Sequence, residues 1–257
     1  MEQFKFNILL SASVPQEKRS QRYQLDYKKI KYAQIKIEEA IISLARNIFA
    51  NGGKLTFGGH PSISPLVSTV AGEFYENNIN IDTDSKPVVI YQSEAFRKAI
   101  VKDVEHLRNI GFSKIEWTEA IGNEVYNPEI KDKPQCKKSL FHMRSKMINS
   151  DVDAMVCIGG MEGVEVEFNM FREIYPQAPV FLLPTTGGAT ALLAKEFINE
   201  NNISIADNFE IFKPKTRETS SLKNQKYLEK VDYELVPYNF IMSDVIQKIN
   251  DIKKNHN

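Results

Sequence analysis

Residues 153–167 read Asp153-Ala-Met-Val-Cys-Ile158-Gly159-Gly160-Met161-Glu162-Gly163-Val164-Glu165-Val166-Glu167. The apolar run from Ala154 to Ile158 is short and unbroken, as expected of a strand covered on both faces. A Gly-Gly step ends it. The residues after it change to a helical period: Val164 and Phe168 lie four apart and would pack on the sheet. Gly163 and Glu167 are also four apart and share a face that can look into a crevice. Strand, glycine turn and helix make half of a βαβ unit, and such units build parallel sheets.

The same pattern recurs on both sides of this stretch. Asn7-Ile8-Leu9-Leu10 ends in the small-residue turn Ser11-Ala12-Ser13, and a helix is expected from Ile35 to Ala50, stopped by Gly52-Gly53. Lys54–Phe57 is a second strand running into Gly58-Gly59-His60, with a helix beginning near Pro65. Pro87–Ile90 reads as a strand, Ala99–Ile110 as a helix and Ile115–Trp117 as a short strand. Residues 121–137 form a polar loop, and Leu140–Ile148 is helical. Val180–Leu183 is a strand ending in Pro184-Thr185-Thr186-Gly187-Gly188, followed by a helix from Ala189. Residues 213–230 read as loop or exposed helix, and Phe240–Lys253 as a closing amphipathic helix. The expected fold is α/β: a Rossmann-like, doubly wound, mostly parallel sheet in three α/β/α layers. It forms a single domain with its core at about residues 6–200 and a C-terminal extension over 201–257.

Composition narrows the function. With 33 basic and 33 acidic side chains the chain is formally neutral, which argues against a protein built to coat nucleic acid or an anionic membrane. The two cysteines, Cys136 and Cys157, are too few for a disulfide framework, and Cys157 reads as a core residue. No leader or membrane span is read in the sequence, so a cytoplasmic location is expected. No His or carboxylate pair has metal-ligand spacing; neither a metal nor a cofactor is expected.

Three strands end in Gly-Gly: Gly58-Gly59, Gly159-Gly160 and Gly187-Gly188. In an open parallel sheet such ends border the ligand crevice, where glycine permits close approach and helix N-termini offer N–H groups to anions. Plain turn chemistry is the alternative. No Gly-Lys-Ser/Thr follows any of them and no spaced dinucleotide fingerprint precedes the first helix, so neither a P-loop NTPase nor a dinucleotide dehydrogenase is indicated. The helix before the central strand carries His142-Met143-Arg144-Ser145-Lys146-Met147. Arginine and glutamate beside an anion-binding loop suit cleavage of a glycosidic bond, with the guanidinium orienting phosphate or carboxylate and the carboxylate activating water or stabilising charge on the ribose. A surface ion pair between neighbouring helices is the bland alternative.

At these residues the sequence resembles the SLOG superfamily, the Rossmann-like group that includes LOG phosphoribohydrolases and DprA/Smf proteins. His142-Met-Arg144-Ser-Lys146-Met147 is similar to the LOG motif His-x-Arg-Lys followed by Met. Ile158-Gly159-Gly160-Met161-Glu162-Gly163-Val164-Glu-Val-Glu167 is similar to Pro-Gly-Gly-x-Gly-Thr-x-x-Glu, with one residue more, Val164 for the threonine and Ser145 for the lysine of the first motif. Ser11-Ala-Ser13 and Gly58-Gly59-His60 stand where the family has its small-residue and glycine loops. The likeness covers about residues 6–200, and the wording Gly-Gly-His-Pro-Ser-Ile-Ser-Pro is nearest to SLOG proteins of bacterial anti-phage conflict systems.

The resemblance implies a nucleotide or ADP-ribose-like ligand, sensed as a signal in defence. An N-glycoside hydrolase with Arg144 and Glu167 catalytic is the alternative it implies. Ligand contacts are expected from Ser11, Ser13, Gly58, Gly59, His60 and Ser64, from Gly159 through Gly163, and from Thr185, Thr186, Gly187 and Gly188. His60 could equally be a local cap. Single-stranded DNA binding, borrowed from DprA, is disfavoured by neutral charge and the lack of basic residues interleaved with aromatics. The family also implies a homodimer or larger even assembly. Arg19, Arg22 and Tyr23 read as a solvated basic face, and Ser93 and Glu94 as rim residues.

Overall fold

The computed structural model describes residues 4–15, 21–23, 28, 32–75, 86–100, 102–130, 135–199 and 238–256. The expected loop or helix at 213–230, and Arg19, lie outside them.

Six strands form one sheet in the order β4-β3-β2-β1-β5-β6: β1 (Asn7–Ser13), β2 (Lys54–Gly58), β3 (Val88–Ser93), β4 (Ser113–Thr118), β5 (Ala154–Gly159) and β6 (Val180–Leu183). Every neighbouring pair is parallel, so each connection must cross a face of the sheet, and helices do this. In chain order they are α1 (Ala33–Ala50), α2 (Ser64–Tyr75), α3 (Lys102–Asn109), α4 (Lys137–Ile148), α5 (Glu162–Ile174), α6 (Gly188–Asn199) and α7 (Tyr238–His256).

Period-2 alternation sorts the layers. Ile8, Leu10, Leu55, Phe57, Ile90, Val156 and Phe181 face α1, α2, α3 and α7. Leu9, Met155, Cys157, Val180 and Leu182 face α4, α5 and α6, where Met147, Val164, Phe168 and Leu193 cover them. Val164 and Phe168 thus lie on the sheet as their spacing requires, and Cys157 is fully buried, which pushes its thiol well above the ordinary range. The Rossmann-like α/β/α architecture read from the sequence is the one observed.

The chain runs outward from β1 through β2 and β3 to β4, then returns to lay β5 and β6 on the other side of β1. The direction reverses between β1 and β5, and in such sheets the crevice opens beyond the strand ends at that point.

Several boundaries shift by two or three residues, and one shift has a clear local cause. The helix expected at 99–110 starts three residues late, at Lys102: Ala99 closes a 3-10 turn, Glu94–Ala99, and Ile100 is extended at φ −60°, ψ 138°. Ser93 ends β3 fully buried and caps that turn by accepting a hydrogen bond from the Ala95 N–H, while Glu94 pairs with Arg97 on the same turn. Ser93 is therefore not a rim residue, whereas Glu94 remains partly exposed. Arg97 in turn lies 3.9 Å over the Trp117 ring.

Candidate functional site

The switch point is stitched closed at its base. The Gly160 N–H donates to the Ser13 carbonyl at 2.7 Å, and Ser13 stands opposite Gly159 in the ladder. The β6 loop then locks onto this pair. Thr186 is wholly buried, its hydroxyl donating to the Leu183 carbonyl at 2.6 Å and accepting the Gly159 N–H at 2.8 Å. Thr190 donates to the Gly159 carbonyl at 2.8 Å, and the Ala189 N–H to the Gly160 carbonyl at 2.9 Å.

Gly188 explains why no larger residue would do. At φ +64° a Cβ there would sit 2.5 Å from the Gly160 carbonyl oxygen. Two of the three Gly-Gly steps converge, but on each other. The Gly159 and Gly160 amides, the Gly187 N–H (to Pro184) and the Thr186 hydroxyl are spent inside the fold, so they hold the two loops together instead of facing a ligand. Thr185 points elsewhere again, its hydroxyl 2.9 Å from the Tyr238 hydroxyl of α7.

At the β2 end, the Gly59 N–H donates to the Tyr91 carbonyl, and a Cβ on Gly59 would meet the Gln92 amide oxygen at 2.3 Å. Gly58 has Met143 of α4 against it. His60 closes the turn into α2: its carbonyl accepts from Ile63 and Ser64, and its Nδ1 lies 2.8 Å from the Ser62 hydroxyl. Ser64 is buried, and its hydroxyl has no partner among the described residues.

The charged pair is what the strand ends frame. Arg144 on α4 and Glu167 on α5 meet with Nε 2.9 Å from Oε1, their side chains only 20% and 14% exposed. This is no surface pair. The second carboxylate oxygen accepts the hydroxyl of Ser11, a residue 1% exposed on β1, at 2.5 Å. Gly163 makes room for the guanidinium, since a Cβ there would lie 2.8 Å from Arg144 Nη2. Arg144 commits only Nε; its two Nη groups have no partner among the described residues. The same holds for the N–H groups of Met161, Glu162 and Gly163, which open α5 with no side-chain cap. Met161 is buried and Glu162 exposed.

Sequence reasoning missed two features. Tyr23 is a core residue, not a solvated one: its hydroxyl donates to Glu165 at 2.6 Å, and burial with that carboxylate pushes its acidity far down. Arg22 beside it bridges Glu165 and Glu196, each at 3.4 Å, so the segment is pinned over α5 and α6. Glu165 in the first turn of α5 and Glu196 near the end of α6 were the available signal. The second feature is a cavity of about 470 Å³ along α4, lined by Ile121, Lys137, Lys138, Phe141, His142 and Ser145. On α4 the lining residues centre about a quarter turn round the helix from Arg144, so the cavity flanks the charged pair's side of the helix.

A parallel doubly wound sheet with a charged pair at its switch point defines a Rossmann-like α/β protein with a candidate site beyond the strand ends. The sequence matches the SLOG cluster3 family over residues 29–213, and the chain belongs to that family. No curated protein matches it. Among solved structures, the X-ray structure of the structural-genomics target TM1055 is similar at 14% identity, with a TM-score of 0.43, over 74% of this chain and 81% of that one. No helix among the described residues is long and apolar enough to cross a membrane.

Proposed function

We propose that the crevice between the ends of β1 and β5 binds a nucleotide or nucleotide-derived ligand, with an anionic group of the ligand on the free edge of Arg144. One observation carries this reading. Arg144 is half-buried yet spends a single N–H on Glu167, leaving its Nη groups over Gly163 beside the unbonded amides that start α5. A guanidinium fork and a helix N-terminus together present several directed donors to phosphate or carboxylate. In the finer reading carried over from the resemblance, the ligand is ADP-ribose-like, its binding is a signal in bacterial defence, and the chain works as a homodimer or larger even assembly.

A second reading, hydrolysis of the base–ribose bond, is favoured by Glu167. Its carboxylate is held beside that anion site, where it can stabilise positive charge developing on a ribose. Incubation of the protein with nucleoside monophosphates, NAD and ADP-ribose, reading melting temperature and products together, separates the two. Binding alone gives a melting shift that Arg144→Ala abolishes. Hydrolysis gives free base, lost in Glu167→Gln. A shift retained in full by Arg144→Ala would place the ligand elsewhere and refute the site.

A further inference from the structure

We propose that Ser11 is a positioning residue: its buried hydroxyl fixes the carboxylate of Glu167, and through it the direction in which Arg144 presents its free edge. The proposal deepens the reading of Arg144 as the ligand's anion partner and rests on it for its binding consequence only.

Ser11 stands on the β1 face that packs against α4, α5 and α6, two residues after the fully buried Leu9 and opposite the fully buried Cys157. A hydroxyl on such a face costs free energy unless it is bonded. The bond it makes is to Glu167 Oε2, at 2.5 Å. With 1% exposure it has no path to a ligand, so the contact expected of it from the sequence becomes an indirect one.

The geometry forms a chain. Glu167 has one oxygen on Ser11 and the other on Arg144 Nε, so both ends of the carboxylate plane are fixed. A guanidinium is planar, and anchoring Nε against a fixed carboxylate sets where Nη1 and Nη2 point. Without Ser11, Oε2 loses its donor and the Glu167 side chain regains rotamers. Arg144 then follows it, because Gly163 leaves open space under the fork. The rival role for Ser11 is simple stitching of α5 to β1, which would affect stability but not the guanidinium.

The test uses the full chain with labelled arginine. Ser11→Ala is expected to speed hydrogen exchange at Arg144 Nε–H at least tenfold while leaving β1 backbone amide exchange within twofold, and Ser11→Thr to restore the wild-type rate. With AMP and ADP-ribose as probes, Ser11→Ala is expected to weaken binding about tenfold. In a Glu167→Gln background Ser11→Ala should add nothing further, because the two changes break one linkage. Unchanged Nε–H exchange in Ser11→Ala, or losses of affinity that multiply in the double variant, would overturn the proposal. Faster exchange together with a wild type that binds neither probe would uphold the positioning role and sink the proposed function instead.

Discussion

Replacing Gly163 with alanine should move stability and binding in opposite directions. Gly163 is the second residue of α5, and glycine in a helix is less favourable than alanine by about 0.5–1 kcal/mol. A first-turn position gains from the lower half of that range. Against this, the new Cβ would lie 2.8 Å from Arg144 Nη2, so the guanidinium must retreat by about 0.7 Å to reach ordinary contact. The obstructing atom is the end of a flexible side chain, so folding loses little and the melting temperature should stay level or rise by about 1–2 °C. Binding should suffer more. A hydrogen bond from a charged donor contributes about 1.5–3 kcal/mol, and mis-aiming one of the fork's bonds corresponds to roughly a 10- to 100-fold weaker Kd. Calorimetry with AMP or ADP-ribose and a thermal melt on the same preparation check both halves. A Kd within twofold of wild type would refute the placement of the anion on Arg144. A melting temperature lower by many degrees would refute the claim that only the guanidinium yields.

Gly188→Ala should be costly where Gly163→Ala is not, because the obstacle is backbone. A Cβ 2.5 Å from the Gly160 carbonyl oxygen at φ +64° should destabilise by at least about 2 kcal/mol, read as a lower urea midpoint at unchanged m. Thr186→Val should remove both the Leu183 and Gly159 bonds of a buried hydroxyl and cost about 1–3 kcal/mol, while Thr185→Val, which loses only the Tyr238 contact, should cost less in the same assay. Glu124 caps α4, and the Ser139 N–H and then the Ser139 hydroxyl hold its carboxyl below the ordinary value of 4.5. A depressed folded pKa means that its contribution is complete above 4.5 and is lost as pH falls through the lower folded value. Urea melts down the acid limb should therefore decline less steeply in Glu124→Gln than in wild type, and identical slopes would show that the cap contributes nothing.

The fold was legible because burial on both faces leaves a distinctive trace. Runs such as Ala154–Ile158 and Val180–Leu183 can be covered only by helices on each side, and their spacing leaves room for one helix between strands. Where the trace failed, a local hydrogen bond had won. The segment at 94–99 has helical composition, but Ser93 caps a tighter turn there, and extended Ile100 separates it from α3. Tyr23 was misread for the opposite reason. Its neighbours are charged, and only tertiary structure brings Glu165 to its hydroxyl.

The site divides along the same line. Arg144 and Glu167 were visible because each sits on a helix whose period fixes its face, and because glycine at 163 stands one turn before the carboxylate. The Gly-Gly steps were visible too, yet glycine in a sequence says only that a Cβ is not tolerated. It does not say whether a ligand or another loop occupies the space. At Gly188 the occupant is the Gly160 carbonyl, and at Gly163 it is the Arg144 guanidinium. The first kind of glycine builds the scaffold, whereas the second leaves room for a charged group beside the start of α5. That difference is why substitutions at the two positions should part company, one in stability and the other in binding.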